Sequence, residues 1–574
     1  MIDHRDVRAA LSLDQVAALR AIAMRFGAGN ETRQARALGA CAKRAIRDAD
    51  VLLAYHDCLL FMLAYPKNAE LLASARAELL RVAELAQHLT RPGSAKMRTR
   101  LEGHGIAWSE GTHNFGWDIA RWLATRFPGN AEVDSFGEGV LSPQQALAAA
   151  LLPMEFDIAD PEALDADAFL EDASAGHKPS RLAWLVAGLQ RTPCPDVLRE
   201  HVFDALGTFI VLRPQATPLS RTFARGLPHR PFFHRRPLVR QVDVARTVAQ
   251  PLAIHRPLSR TEREAVLDAG RATLAAMGRE TDAIARADAD GVAWHHVGRG
   301  VAIALYTMRP ERRSPLDSHV GMMLFKNSLP IGYGGGWPFF DACRIGVNIF
   351  EPYRGGESAF LFCQALRVFG QRFGVTRFVA EPSQFGGSGI EGLKSGAFWF
   401  YYRLGFRPMA ERAAELARAE FARQQTTPGY RTPLPTLKRF TRSDIELRLA
   451  PADASTARNG SGPEPSYLSA AVSAWIARRF NGDRLRAEAF AARSVARALD
   501  VEPARWRGPS RAALAALAPL LTQIRDLRRW PRRDKRALVA IIHAKGGDEF
   551  AFFALLRGHT RLHGALEKIS RRPA

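Results

Sequence analysis

The segment Cys343-Arg-Ile-Gly-Val-Asn-Ile-Phe-Glu-Pro-Tyr-Arg-Gly-Gly-Glu-Ser-Ala359 changes character twice. Ile345, Val347 and Ile349 alternate with Gly346, Asn348 and Phe350, the period of two expected of a strand. Pro352 and the glycines break that pattern, and apolar residues then recur at helical spacing from about Ser358 to Phe373. A strand that runs through a glycine turn into a helix is a unit of α/β architecture. Such a turn leaves backbone N–H groups free at the positive end of the helix dipole, a ready place for a pyrophosphate.

The neighbouring segments extend the same reading. Upstream, Val301 to Met308 is an apolar strand, and Val320 to Phe325 pairs with Pro330 to Gly336 across the turn Lys326-Asn-Ser-Leu329. Downstream come a short strand, Arg377 to Ala380, a glycine-rich loop, Gly386 to Gly392, and a second helix through Trp399. That helix stops at Leu404-Gly405-Phe406, with glycine placed as a left-handed cap. Gly334, Gly335 and Gly336 read as a distorted strand end, with close approach of a ligand as the alternative.

This order resembles the GNAT superfamily of N-acyltransferases. Three segments carry the resemblance: Met323-Leu-Phe-Lys-Asn-Ser-Leu-Pro-Ile-Gly332, Ile349-Phe-Glu-Pro-Tyr-Arg-Gly355 and Ala397-Phe-Trp-Phe-Tyr-Tyr-Arg-Leu-Gly-Phe406. The resemblance implies acetyl-CoA or another acyl-CoA as donor and an amine as acceptor. It implies a cofactor turn at Arg354, Gly355, Gly356, Ser358 and Ala359, entered from Ile349. Glu357 stands where the family's turn has its first glycine, and its charge would repel a phosphate there. On this reading, replacing Glu357 with Gly would strengthen coenzyme A binding. Tyr401 matches the family's tyrosine that protonates the leaving thiolate, and a phenol is a fitting acid for that step. Glu351 is the nearest carboxylate to serve as base for the attacking amine, Glu381 is the second choice, and Asn348 is a candidate to orient the acceptor.

The remainder divides by composition. Residues 1–212 read as a mainly helical domain, with helices expected over Val16 to Phe26, Val51 to Tyr65, Ala69 to Leu89 and Trp117 to Leu123. Val51 to Tyr65 is too short to span a bilayer, so it reads as a buried helix and no membrane insertion is expected. Residues 213–260 hold ten arginines, seven prolines and one acid, Asp243, the composition of an extended connector. Residues 261–450 form the α/β domain, 451–466 a flexible linker and 467–574 a basic helical domain. The expected architecture is a GNAT-like mixed sheet flanked by mainly α-helical N- and C-terminal domains.

Charge and cysteine usage narrow the function. The net charge of +22 favours polyanions, whether nucleic acid, acidic lipid or acidic protein, without specifying one, and residues 213–260 and 503–574 are the candidate segments for nucleic acid. Trp530, inside the basic run Arg525 to Arg536, packs against its helix or stacks on a base. Glu155 to Asp172 holds eight carboxylates and no Lys or Arg, which suits it as a dock for a basic segment. The odd, scattered cysteines argue against a disulfide framework or a cysteine-rich zinc site and suit a reducing cytoplasm. Met1 to Ser12 lacks the apolar core of a signal peptide. No metal is expected, because His559 and His563 share a helix face without a third ligand. Nucleotide-binding and hydrolase motifs are absent. Two alternatives stand beside acyl transfer from coenzyme A. One is a GNAT-like transferase that takes its acyl group from aminoacyl-tRNA. The other is a non-catalytic GNAT-like scaffold that binds nucleic acid or protein.

Overall fold

The computed structural model describes residues 9–90, 95–137, 151–152, 154, 166–174, 180–254, 256–449 and 462–571. Most of the acidic stretch 155–172 and most of the linker 451–466 lie outside the described residues.

The chain is mixed α/β, and its centre is one eight-stranded mixed sheet. The strands are β4 (Ala287–Gly298), β5 (Val301–Met308), β6 (Val320–Lys326), β7 (Leu329–Phe339), β8 (Ala342–Ile349), β9 (Arg377–Ala380), β10 (Arg407–Pro408) and β11 (Ile445–Arg448). Their spatial order is β10-β11-β9-β8-β7-β6-β5-β4. All neighbours pair antiparallel except β8 and β9, which run parallel and are joined by the helix Ser358–Phe373. β5 and β6, one and two places in from the β4 edge, are buried along their whole length, as expected of strands covered on both faces.

The β6–β7 turn is a two-residue loop, Asn327-Ser328, with φ of +47° and +67°. This is the turn whose twist suits a hairpin, and asparagine tolerates it well. Side chains hold it in place. Asn327 Nδ2 donates to the carbonyls of Ala64 and Phe232, and Ser328 Oγ donates to Leu227.

The sheet is sandwiched by helices. Phe369 of Ser358–Phe373 lies against Gly336, while Gly270 of the helix Arg260–Ala275 lies against Met323 on the opposite face. Gly335 and Gly336 leave room for the side chains of His319, Cys343 and Phe369, so protein fills the space that the glycine run opens on these sides.

The flanking regions join the same core. Ala49–Ala64 is a helix buried on nearly every side, and Ala69–Leu89 packs beside it. Among the described residues no helix is long and apolar enough to cross a membrane. Contiguous buried apolar side chains run from Leu11 through the sheet to Ile569. At the far end, Phe550 and Phe553 of the helix Glu549–Gly558 pack on Phe373.

Residues 1–212 also contain strands, which the helical periodicity did not suggest. β1 (Gly111–Asn114), β2 (Ala131–Phe136) and β3 (Thr208–Leu212) form an antiparallel sheet of order β1-β3-β2. It shares a second core with Trp117, Trp122 and Leu185, so both tryptophans are packing residues.

The connector 213–260 is irregular apart from the short helix Val244–Ala249, and it is firmly attached. Gly226 N–H donates to Ser328, His234 N–H to Pro66 and Val239 N–H to the Glu357 carboxylate. Trp530 is buried beside His559, so it packs within its own domain. The five cysteines are free thiols.

Candidate functional site

β8 and β9 pair over three positions only, Ala342–Arg344 against Arg377–Val379. Beyond Arg344, β8 continues on β7 alone while β9 turns its other edge to β11. A gap therefore opens along the β8 edge from Ile345 to Ile349. The helix Ala397–Arg403 inserts Tyr401 at this gap, with its hydroxyl in hydrogen-bond contact with the Val347 backbone. Phe362, Phe385 and Phe406 meet the ring edge-on and fix it, leaving 2% of the residue exposed. Burial pushes the phenol pKa up, so Tyr401 is a neutral proton donor at physiological pH. Gln384, in the turn after β9, lies directly over Gly346, where a side chain would collide with its amide. Asn348 is half-buried, and its amide lies 3.4 Å from the Tyr333 hydroxyl.

The turn after β8 folds back on the strand. Arg354 is exposed, and its Nε donates to the carbonyl of Ile349. Arg20 reaches from the N-terminal helices to the Pro352 carbonyl at 2.6 Å. Gly355 has a φ of +78°, which disfavours any side chain there. Gly356 faces the Tyr65 hydroxyl, 2.8 Å from where a Cβ would sit. Among the described residues no group accepts from the N–H groups of Ser358, Ala359 or Phe360, the orphan donors of the helix start.

Glu357 points away from those donors, into the protein. It is fully buried. One carboxylate oxygen meets Lys326 Nζ at 2.8 Å; the other accepts from Arg299 Nε at 2.9 Å and Val239 N–H at 3.1 Å. Burial alone would raise the Glu357 pKa, but Lys326, its hydrogen bond and Val239 N–H outweigh it and hold it below the ordinary value. Lys326, also fully buried, is pushed down to about 8 by burial, and the Glu357 charge opposes that shift. Both groups are therefore charged at neutral pH. His234 packs beside them and is driven down to about 3 by burial and then by the Lys326 charge, so it stays neutral. The repulsion expected between Glu357 and a phosphate at this turn is thus met by two cations within the protein.

The other sequence candidates divide clearly. Ile349, Glu351, Arg354, Gly355, Gly356, Ser358 and Ala359 follow one another around the end of β8, and Tyr401 joins them at Val347. Glu351 is exposed, one residue past Phe350. Glu381 is drawn away, in a cluster where Arg344 pairs with Glu381, Glu464 and Asp317. His559 is engaged with the Asp534 carbonyl and the Leu562 N–H, and His563 meets Phe340 edge-on. Sequence reasoning missed Lys326, Arg299, Tyr65, Gln384 and Arg20. Lys326 alone carried a signal, as a charge at the end of an otherwise apolar strand.

A second constellation is structural. His56 Nε2 lies 3.0 Å from Thr222 Oγ1 and its Nδ1 3.2 Å from Asp57, which also pairs with Arg221. The spacing is that of a nucleophile, base and orienting acid. Thr222 and His56 are wholly buried, however, and Thr222 Oγ1 also accepts from Ala107 N–H. The group ties the connector to the helix Ala49–Ala64.

No family model matches the chain, and no curated protein or solved structure matches it.

Proposed function

We propose that the protein is a GNAT-like acyltransferase that moves an acyl group from a thioester donor, acyl-coenzyme A, to an amine. The observation that carries this reading is the parallel β8/β9 pair that separates after three residues, with a buried neutral phenol set in the opening. The thioester lies along the free edge of β8. The amine nitrogen attacks the carbonyl carbon, the C–S bond breaks, and Tyr401 gives its proton to the departing thiolate. Glu351 takes the proton of the amine. The donor's phosphates sit at Arg354 and the N–H groups of Ser358 and Ala359, beside Gly355 and Gly356. Glu357, neutralised from within by Lys326 and Arg299, leaves that place open to an anion.

Calorimetry with acetyl-coenzyme A and longer acyl-coenzyme A species tests the donor, and absence of heat at high micromolar concentration overturns it. The Tyr401→Phe variant is expected to keep its melting temperature within a few degrees and its donor affinity. Its kcat falls about 100-fold or more, the usual scale for a general acid. An unchanged kcat removes Tyr401 from the chemistry.

Exposed arginines favour a second reading, in which the acyl donor is an aminoacyl-tRNA. Arg525, Arg528, Arg529, Arg532, Arg533 and Arg536 are exposed, and among the described residues none pairs with a carboxylate. Asp534, the acid in their midst, is taken by Arg561 at 2.6 Å. Arg230, Arg235, Arg236 and Arg240 of the connector are exposed in the same way. Copurification of tRNA-sized nucleic acid supports this donor; a clean absorbance ratio with no tRNA shift at low salt rejects it.

A further inference from the structure

A cavity of about 480 Å³ opens where the helix Ala69–Leu89, the connector and the β6–β7 turn meet. Its size falls within the range of small-molecule sites. Leu63, Leu72, Leu79 and Leu329 wall it with buried apolar surface, and Leu80, 51% exposed, forms part of the rim.

The polar groups of the wall are spent on the protein itself. Thr222 is bound to His56 and Ala107, Asn327 to Ala64 and Phe232, and Ser328 to Leu227. His229 also lines the wall, its ring 5.2 Å from that of His296, and two guanidinium groups remain. Arg76 rises from the helix and Arg225 from the connector, and among the described residues neither pairs with a carboxylate. Glu78, the acid nearest Arg76 in sequence, is committed to Tyr55 and Arg81. Among the described residues Arg225 donates to its neighbour's carbonyl alone, Ala224 O, at 2.7 Å. It keeps solvent contact while protein crowds its guanidinium. That crowding lowers its pKa and the nearby Arg76 charge lowers it further, although Tyr353 acts the other way. Two cations held near each other over an apolar cavity, with no counter-charge supplied, form an incomplete electrostatic unit that an anion completes.

We propose that this cavity binds an amphipathic anion, with a carboxylate or phosphate head between Arg76 and Arg225 and an alkyl chain against Leu63, Leu72, Leu79 and Leu80. None of the lining residues belongs to the β8/β9 gap or to the turn Arg354–Ala359, so binding of the probes here is read separately from acyl transfer.

The test uses the full chain and three probes with the same chain length, each below its micelle concentration: dodecyl phosphate, dodecanoate and dodecanol. Calorimetry is expected to show saturable binding of one or both anions and at least about tenfold weaker binding of the neutral alcohol, because charge-assisted hydrogen bonds are missing. The phosphate and carboxylate arms identify the head group. Arg76→Ala and Arg225→Ala each weaken the preferred anion about tenfold or more. Their melting temperatures without ligand stay at the wild-type value, which separates impaired binding from impaired folding. Leu80→Glu weakens the same anion by placing a like charge at the rim. Failure of both anions to bind at ~1 mM overturns the proposal. So does equal affinity for dodecanol, or affinities in both arginine variants within twofold of wild type.

Discussion

Replacing Glu357 with Ala lowers the free energy of unfolding by about 3–5 kcal/mol, the cost of removing one partner of a buried pair. The substitution strips the counter-charge from Lys326, which is fully buried, and from Arg299. It also leaves Val239 N–H without its acceptor. Chemical denaturation of the variant should show a lower midpoint. The double variant Lys326→Met, Glu357→Leu should lose less than the sum of the single changes, because both charges leave together. Glu357→Gly, which looks from sequence like a gain of phosphate binding, is expected to be a folding defect for the same reason.

The pH dependence follows from the same carboxylate. Its folded pKa is lowered relative to the unfolded chain. Its contribution to stability is therefore complete above the unfolded value of about 4.3 and disappears as pH falls through the lower folded value. Wild type is expected to lose stability across that acid window more steeply than Glu357→Gln, measured by denaturant midpoints between pH 5 and pH 3. Equal slopes would mean that folding leaves the proton affinity of Glu357 unchanged.

If the protein takes its acyl group from aminoacyl-tRNA, neutralising Arg528, Arg529, Arg532 and Arg533 to Gln is expected to flatten the salt dependence of tRNA binding by about 3–4 log units per log unit of salt, close to 0.7–0.9 for each phosphate that is no longer neutralised. All four are exposed and free of carboxylate partners among the described residues, so the variant retains its fold. Filter binding of tRNA or duplex DNA across a salt series measures the slope. An unchanged slope removes this surface as the nucleic-acid interface. Point substitutions serve better here than deleting residues 503–574. Phe550 and Phe553 cover Phe373, and Lys545 and Glu549 form a buried pair beside Arg313. Deletion would expose the core as well as remove charge.

Local pattern carried much of the fold. The helices Ala69–Leu89 and Ser358–Phe373 and the strands β5 and β9 have the extents expected from periodicity, because each buries a defined face or stripe. β1, β2 and β3 escaped notice. They are short, and their pairing joins residues some 70 to 100 positions apart, which no local window contains. β4 was missed because Ala287–Gly298 mixes Asp, His and Trp with few aliphatic residues.

At the candidate site the residues around the β8 end were legible as one motif. The inward turn of Glu357 was not, since its partners Lys326 and Arg299 come from two hairpins that precede it. The acid at position 357 looked like an intruder in a phosphate turn because only its sequence neighbours were in view. The unpaired arginine surface was foreseen from composition, while the inward packing of Trp530 was settled by its contact with His559.

The two-residue β6–β7 turn also sets an order on folding. Asn327 binds the Ala64 carbonyl 263 residues earlier in the chain, and the same turn receives the connector through Phe232 and Leu227. During synthesis the helix Ala49–Ala64 leaves the ribosome long before this hairpin exists. At roughly 5–20 residues per second, it waits about ten seconds or more for the turn that closes over its end. Loop closure over so long a span is slow, and the part of the helix that faces the sheet stays uncovered meanwhile, although Leu13–Ala23 and Ala69–Leu89 already pack on its other sides. The end of this helix therefore gains its last native contacts only when about residue 330 has emerged, and the hairpin is the step that supplies them.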